Sequence, residues 1–505
     1  MKSWAPTPPL PIEGGAEAAG ERFATRTVAV PESVLDRVRD GGGRVGLGIA
    51  ELADAGRDWW PLAIGWAAAG KVPTRPAALA RPVTASQVAD LLRSCSDDLV
   101  PVTPVAGRSG VCGGSLPLFG GVALDTTGLC GDVEVDEASL VAQAGAGMNG
   151  RALEEALRAT GPGYTLGHWP QSMDLSTVGG WIACRSAGQY STRYGKIEDM
   201  VAGLEVALAD GRVVRTGAQA PRAATGPDLT QLFTGSEGVL GVITRAWLRV
   251  RPKPAAEARR AFSFGGFGEG LDACRRVLRR GATPAVLRLY DQSESERSFD
   301  VVGRCALVVL DEADPVLLAA TMAVVDDECA SAERLDDGIV DAWLEARNDV
   351  SLLVPLWRQG VVVDTAEVAG PWRILDRLAE EVPGALRAVD GTVGTSVHLS
   401  HAYPDGACLY FTFAGARPGG GDPDGAWTEG YYTRAWDAVI AVVNGLGAAI
   451  SHHHGIGLSK GRFLADALGE AHSVLVAVKR ALDPAGILNP GKLGIPSAFG
   501  EVPWP

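Results

Sequence analysis

The sequence predicts an α+β protein of more than one domain, and three observations predict it. Leu204-Glu205-Val206-Ala207-Leu208 and Arg212-Val213-Val214 flank Asp210-Gly211, a turn pair suited to positive φ at both positions, so two antiparallel strands are expected. Val242, Thr244, Ala246, Leu248 and Val250 alternate with Ile243, Arg245, Trp247, Arg249 and Arg251, the period of a strand with one covered face. Arg251-Pro252-Lys253-Pro254 then breaks the pattern, and residues 256–445 run roughly as strand, helix, strand, strand, helix, strand, an order that suggests a separate α+β domain.

The remaining elements follow in chain order. Residues 1–24 are rich in Pro, Gly, Ala and Glu without periodicity and read as a mobile or draped arm. Thr84-Ala85-Ser86-Gln87 has the spacing of a capping box, and Val88, Leu91 and Leu92 continue it as the apolar stripe of a helix. A strand over 100–105 then enters the glycine-rich turn 106–114. Residues 396–413 read as a hairpin around Asp405-Gly406, whose second strand puts Cys408, Tyr410 and Thr412 on one face and Leu409, Phe411 and Phe413 on the other. A surface loop is expected at 417–423 and a long helix over 427–444, before His452-His453-His454-Gly455, a further helix, and the closing Gly486-Ile487-Leu488-Asn489-Pro490-Gly491-Lys492.

Composition narrows the function classes. With 505 residues, 46% apolar and 21% charged, the chain can bury a large core, and it lacks the sustained triplet or heptad period of a fibrous protein. A net charge of −14 argues against a broad nucleic-acid or anionic-membrane surface, though not against one phosphate held by a few arginines. No apolar run reaches the roughly 18 residues of a membrane span, and the start carries no secretory pattern, so a cytoplasmic protein is expected. The eight cysteines are scattered with no C-x-x-C pair, which suggests neither a zinc site nor a redox pair.

Three stretches pack glycines and hydroxyls into turns before apolar segments. They are 106–114, the run Gly167-His168 through Gln171 to Trp181, and Gly235-Ser236-Glu237-Gly238-Val239-Leu240-Gly241. Glycines let backbone N–H groups close on an anion, which suits a flat or phosphorylated ligand. The first is neither a G-x-G-x-x-G nor a P-loop.

Taken with 104–110 and Leu488-Asn489-Pro490-Gly491-Lys492, these segments resemble the FAD-binding enzymes of the vanillyl-alcohol oxidase and p-cresol methylhydroxylase type, over residues 80–495. Within that superfamily, Gly167-His168, the stretch from Ser172 to Gly180, Ile197-Glu198-Asp199 and Ser451-His452-His453-His454-Gly455 are most similar to the alkylglycerone-phosphate (alkyl-dihydroxyacetonephosphate) synthases. The resemblance implies an FAD-binding domain made from residues 25–255 and 446–505, with an inserted α+β cap over 256–445. It also implies that Pro104, Val105, Ala106, Gly107, Arg108, Ser109 and Gly110 wrap the pyrophosphate. Gln171, Ser172, Met173, Asp174, Leu175, Ser176 and Thr177, with Cys184, Arg185, Ser186 and Ala187, would line the dinucleotide, and Gly235 to Gly241 would lie along the flavin. Some members attach FAD to a histidine in the first loop; here Arg108-Ser109-Gly110-Val111 leads to Cys112, so FAD bound without that histidyl bond is expected.

Six of the seven histidines fall in the last quarter of the chain, five of them at 398, 401 and 452–454, a clustering that favours proton handling over structure. In a strand-like setting His452 and His454 would point together and His453 away. No carboxylate or cysteine nearby completes a metal set, so no metal is expected. By resemblance Tyr410 is the acid–base group, set to act as the base toward the alcohol, His452 to His454 position the carbonyl or shuttle protons, and Arg288 clamps an anion. From chemistry alone, an arginine amid apolar neighbours needs either a carboxylate or a bound anion.

The implied reaction exchanges the acyl group of an acylated dihydroxyacetone-phosphate-like substrate for an alcohol, through an adduct at flavin N5, to give an ether. The alternative is an FAD oxidase or dehydrogenase of a hydroxy acid or alcohol. One departure keeps the alternative open: Leu353 stands where the synthases carry an arginine for the substrate phosphate, with Arg358 and Arg373 as nearby substitutes. The expected partner is a small-molecule or lipid-like substrate and no nucleic acid, with peripheral membrane contact and a homodimer left open.

Overall fold

A computed structural model describes residues 11–217, 220–349, 353–420, 422 and 425–504, without the side chains of 353 and 354. Three sheets organise them. The first has the order Arg44–Gly46, Ala78–Arg81, Val122–Asp125, Val102–Val105, the last three parallel. Helix Ala85–Asp97 forms the crossover between parallel strands, opened by the capping box in which Thr84 Oγ1 accepts from Gln87 N. Its Val88, Leu91 and Leu92 pack with Val34, Val102, Val122 and Leu124 in one apolar cluster. Leu488, far down the chain, joins that cluster and bridges Val102, so the C-terminal segment returns to the first sheet.

The second sheet is antiparallel, in the order Val213–Thr216, Val201–Ala207, Val242–Arg249, Val141–Gly145, Glu134–Asp136. Two sequence expectations are corrected here. The hairpin connection is the five-residue loop 208–212, and of the expected turn pair only Gly211 has positive φ, at 80°. The Val242–Arg249 strand is covered on both faces over most of its length, because Ile243 and Trp247 are buried as well as Thr244 and Ala246.

The third sheet has seven antiparallel strands, ordered Glu333–Arg334, Ala256–Phe264, Cys305–Ala313, Val286–Tyr290, Thr392–Ala402, Gly406–Ala416, Val361–Pro371. It holds more elements than the sequence order suggested. Helix Gln292–Phe299, for example, has no apolar stripe to betray it; Asp291 starts it by accepting from Glu294 N at 2.8 Å. Helix Ala426–Gly445 covers the odd-numbered face of Gly406–Ala416, where Phe413 meets Trp436 edge-on and Gly415 leaves room for the Tyr431 ring. Cys408, Tyr410 and Thr412 therefore look the other way, toward the histidines.

The described part of the arm is packed: Ile12, Ala19 and Phe23 are buried, and Gly20–Glu21 pairs with Lys71–Val72. Arg22 forms a two-pronged bond to Glu429 at 2.6 Å, tying the arm to helix Ala426–Gly445. Residues 1–10 and part of the expected loop 417–423 lie outside the described residues. Among the described residues no helix is long and apolar enough to cross a membrane.

Candidate active site

Backbone approach builds one half of the site. A side chain at Gly107 would sit 2.1 Å from the Leu175 carbonyl oxygen, so the first glycine-rich turn can lie against 171–177 only without a Cβ. Gly238, at φ +76°, lies against the Pro104 ring, and the N–H groups of Gly235 and Glu237 bond to the carbonyls of Ile182 and Ala183 at 2.9 Å. The four predicted stretches are thus contiguous. Arg108, Arg185 and Glu237 have φ between 47° and 53°, a strained setting for side-chain-bearing residues that is common at ligand clamps.

Several of the expected residues have protein partners. Asp174 is ion-paired to Arg151, and Ser176 Oγ accepts from Trp181 Nε1 at 2.7 Å. Glu237 is buried and accepts from Ile456 N at 2.6 Å and Gly457 N at 2.8 Å, pinning the segment after the histidines. Gln171 and Arg185 are exposed. Cys112 is buried and its thiol donates to the Gly455 carbonyl. In contrast, Ser236 Oγ, Asn489 Oδ1 and His168 Nδ1 are buried with no protein partner. Buried polar atoms rarely stay unpaired, so this set of neutral hydroxyl, amide and imidazole groups on glycine-rich turns fits a dinucleotide.

Side chains build the other half. Strand register places Glu367, Tyr410, His398 and Tyr290 in one row across four neighbouring strands. The His398 ring stacks on Tyr410 with centroids 4.9 Å apart, His453 lies parallel at 6.1 Å, and His454 meets it edge-on at 5.6 Å. Thr365 Oγ1 donates to the phenolic oxygen at 3.0 Å. Arg288 Nη2 lies 2.7 Å from His398 Nε2, and a guanidinium only donates, so His398 carries its proton on Nδ1 and gives it to Glu294 at 3.1 Å. Arg288 thus bonds to an imidazole rather than to a carboxylate.

The triple histidine is a bend and not a strand, which corrects the expected alternation. His453 and His454 both face Tyr410, while His452 reaches the Tyr403 hydroxyl at 3.0 Å and stacks on His401. Glu367 imposes the bend. Its fully buried carboxylate accepts from the backbone N–H groups of His452, His453 and His454 at 3.2, 3.3 and 2.9 Å, from Lys460 Nζ at 2.8 Å, and from Ser451 Oγ. Sequence reasoning missed Glu367 and Lys460. The available signal was an acidic residue two positions past Thr365 on an apolar strand, which must find a buried cation.

Electrostatics follow from burial. Burial acts to raise the Glu367 carboxyl, but Lys460, His454 and His453 outweigh it and hold the group well below the usual range. Burial pushes His452 down to about 4, lowers His453 and His401 well below the ordinary value, and lowers His398 and His454. It pushes the Tyr410 phenol up. At neutral pH the pocket therefore presents neutral imidazoles around a neutral phenol. Ring nitrogens of His401, His452 and His453 lie within 4.8 Å of one another, and among the described residues no carboxylate or thiol joins them.

Arg358 and Arg373, the expected substitutes at the phosphate position, are both exposed, and the Leu353 side chain lies outside the description.

A domain family described as "FAD binding domain" matches residues 76–217, and one described as "FAD linked oxidases, C-terminal domain" matches 253–493. The chain belongs to the FAD-linked oxidases, and its cofactor is FAD; its fold is that of p-cresol methylhydroxylase, which it matches with a TM-score of 0.71 at 17% identity. Among relatives, the uncharacterized FAD-linked oxidoreductase YgcU of Escherichia coli O157:H7 is 30% identical over 438 residues, 83% of this chain and 89% of that protein. Alkyldihydroxyacetonephosphate synthase of Caenorhabditis elegans is 27% identical over 473 residues, 84% and 77% of the two chains. Glycolate oxidase subunit GlcD of Bacillus subtilis is 28% identical over 467 residues, 87% and 93%. A solved alkyldihydroxyacetonephosphate synthase superposes with a TM-score of 0.76 at 22% identity, covering 96% of this chain and 89% of that one.

Proposed function

We propose that the protein is an FAD enzyme of the alkylglycerone-phosphate synthase kind, which exchanges the acyl group of an acylated dihydroxyacetone-phosphate-like ketone for an alcohol. In the overall exchange the carbon bearing the ester loses a carboxylate and gains an alkoxide, the proton of the alcohol is released, and no net electrons move. Residues 104–110, 171–177, 184–187 and 235–241 would hold the FAD, without a histidyl bond. Bound FAD supplies an electron-poor ring able to take up a hydride or a carbon nucleophile.

The observation that carries the reading is the Tyr410 phenol set among His398, His453 and His454, all kept neutral by burial. In its resting form Tyr410 holds a proton to give, and it becomes the base toward the alcohol only after giving it up. The Thr365 hydroxyl, donating to the same oxygen, favours the phenolate that results. Neutral histidines can pass that proton on, whereas protonated ones would repel a developing cation. His454 Nδ1 lies 3.4 Å from the Glu367 carboxylate, which would stabilise it when it takes a proton.

The second reading, oxidation of a hydroxy acid or alcohol on the same scaffold, is favoured by one observation: Arg358 and Arg373, the arginines near Leu353, where the resemblance puts the phosphate arginine, are both exposed. Anaerobic holoenzyme given acylated dihydroxyacetone phosphate and a long-chain alcohol should yield the ether by mass spectrometry, with the flavin oxidised at the end. Full bleaching of the flavin by glycolate or lactate, with no ether formed, would overturn the exchange reading in favour of oxidation.

A further inference from the structure

Two arginines near the Tyr410 pocket are bonded to no carboxylate among the described residues. Arg288 is 9% exposed, stacks over Tyr290 and Trp343 at 5.9 and 5.6 Å, donates to His398, and leaves its Nε buried and unbonded. Arg347 lies over Trp343 at 5.5 Å and over Tyr190 at 5.2 Å, and donates to Gln189 Oε1 at 2.9 Å. Neither guanidinium makes an ion pair among the described residues, whereas the half-buried Arg193 is fully matched by Asp311. Gln189, Tyr190 and Ser191 connect Arg347 to the histidines, because the Ser191 hydroxyl bonds His401 Nδ1 at 2.7 Å.

Burial, partly offset by neighbouring groups, and the charge of Arg288 both lower the titration of Arg347, so the two cations feel each other. Packing two charged groups around one indole, with no carboxylate bonded to either and only Glu294 and Glu312 acting from farther off, is costly unless a ligand adds charge. The net charge of −14 makes this local positive pair stand out further.

We propose that Arg288 and Arg347, set around Trp343, form the site for the oxyanion group of the substrate, so that the anion subsite missing at Leu353 is provided six residues earlier in the chain. The inference rests on reading the Tyr410 pocket as the substrate face. It requires a substrate with a carboxylate or phosphate head, and the two are distinguished by test.

The probes are oxalate and inorganic phosphate, titrated into holoenzyme while the flavin absorbance is followed; no turnover is needed. Wild type should bind one of them, oxalate marking a carboxylate head and phosphate a phosphate head. Arg347→Gln should weaken that binding by about 20-fold or more, the effect of losing a charge-assisted bond, and Arg347→Lys should recover part of it. The melting temperature of Arg347→Gln should be no lower than that of wild type and its flavin spectrum unchanged, and Arg358→Gln should bind as wild type does. Failure of wild type to bind either anion, or unchanged binding by Arg347→Gln, overturns the clamp. A variant that binds phosphate as wild type does while the wild-type enzyme still makes ether would overturn the clamp alone and leave the exchange reaction standing.

Discussion

The two halves of the site are built differently. The half proposed for the dinucleotide is made of backbone: glycine turns pressed against carbonyls, side-chain-bearing residues at positive φ, and orphaned polar atoms at Ser236, Asn489 and His168. The histidine half is made of side chains that answer one another: Arg288 to His398 to Glu294, and Lys460 to Glu367 to three successive backbone amides. The first half leaves Ser236 Oγ, Asn489 Oδ1 and His168 Nδ1 without protein partners. Apart from Arg288 Nε, which faces no acceptor, the bonds that set the second half are made within the protein, and its geometry is fixed before substrate binds.

If that contrast is right, the largest effect of any single change comes from breaking the self-satisfied half. Glu367→Ala leaves Lys460 fully buried without its partner and should cost about 3–5 kcal/mol in denaturant unfolding, with loss of turnover. The double variant Glu367→Gln, Lys460→Met should regain most of the stability but not the activity, because the amides of 452–454 lose their charged anchor. A loss below about 1 kcal/mol for Glu367→Ala would mean that the bend holds itself.

A smaller effect is readable by pH. Burial pushes His168 down from 6.5 to about 3, so between these values the unfolded chain takes up a proton that the folded one refuses. The stability contributed by neutral His168 is present above pH 6.5 and is lost as pH falls toward 3. The stability difference between wild type and His168→Asn should therefore narrow by about 1 kcal/mol from pH 6.5 to 5.5. A difference independent of pH would show that His168 titrates in the folded state too.

The smallest effect tests the orphaned half. Ser236→Ala should leave the apoprotein as stable as wild type, because its hydroxyl has no protein partner, yet weaken FAD binding by about 1 kcal/mol. Equal FAD affinity would place Ser236 outside the cofactor's reach.

The same contrast explains what could be read from the sequence. The backbone-built half was legible because each turn needs small residues at fixed offsets, and 106–114, 167–181 and 235–241 carry them within short windows. The histidines at 398, 401 and 452–454 stood out as too clustered for chance and Arg288 as a charge amid apolar neighbours, whereas Tyr410 was marked only by the family resemblance. Their geometry was not. Glu367 meets His452 across 85 positions and Arg288 meets His398 across 110, and no local period encodes such pairings. Helix Gln292–Phe299, which supplies Glu294, carries no apolar stripe, and Arg347 sits on the helix-ending turn after Gly338–Ala346 with nothing in its neighbours to mark it. The bend at 452–454 looked like a strand because the carboxylate that folds it lies on another element.

The claim that one half holds the cofactor while the other does the chemistry is tested most directly by Tyr410→Phe. FAD affinity and product formation should be measured on the same preparation of that variant. The account predicts wild-type affinity and an unchanged melting temperature with turnover down by about 100-fold or more, the loss expected of a missing acid–base group. Turnover within a few-fold of wild type, or FAD affinity falling together with turnover, would contradict it.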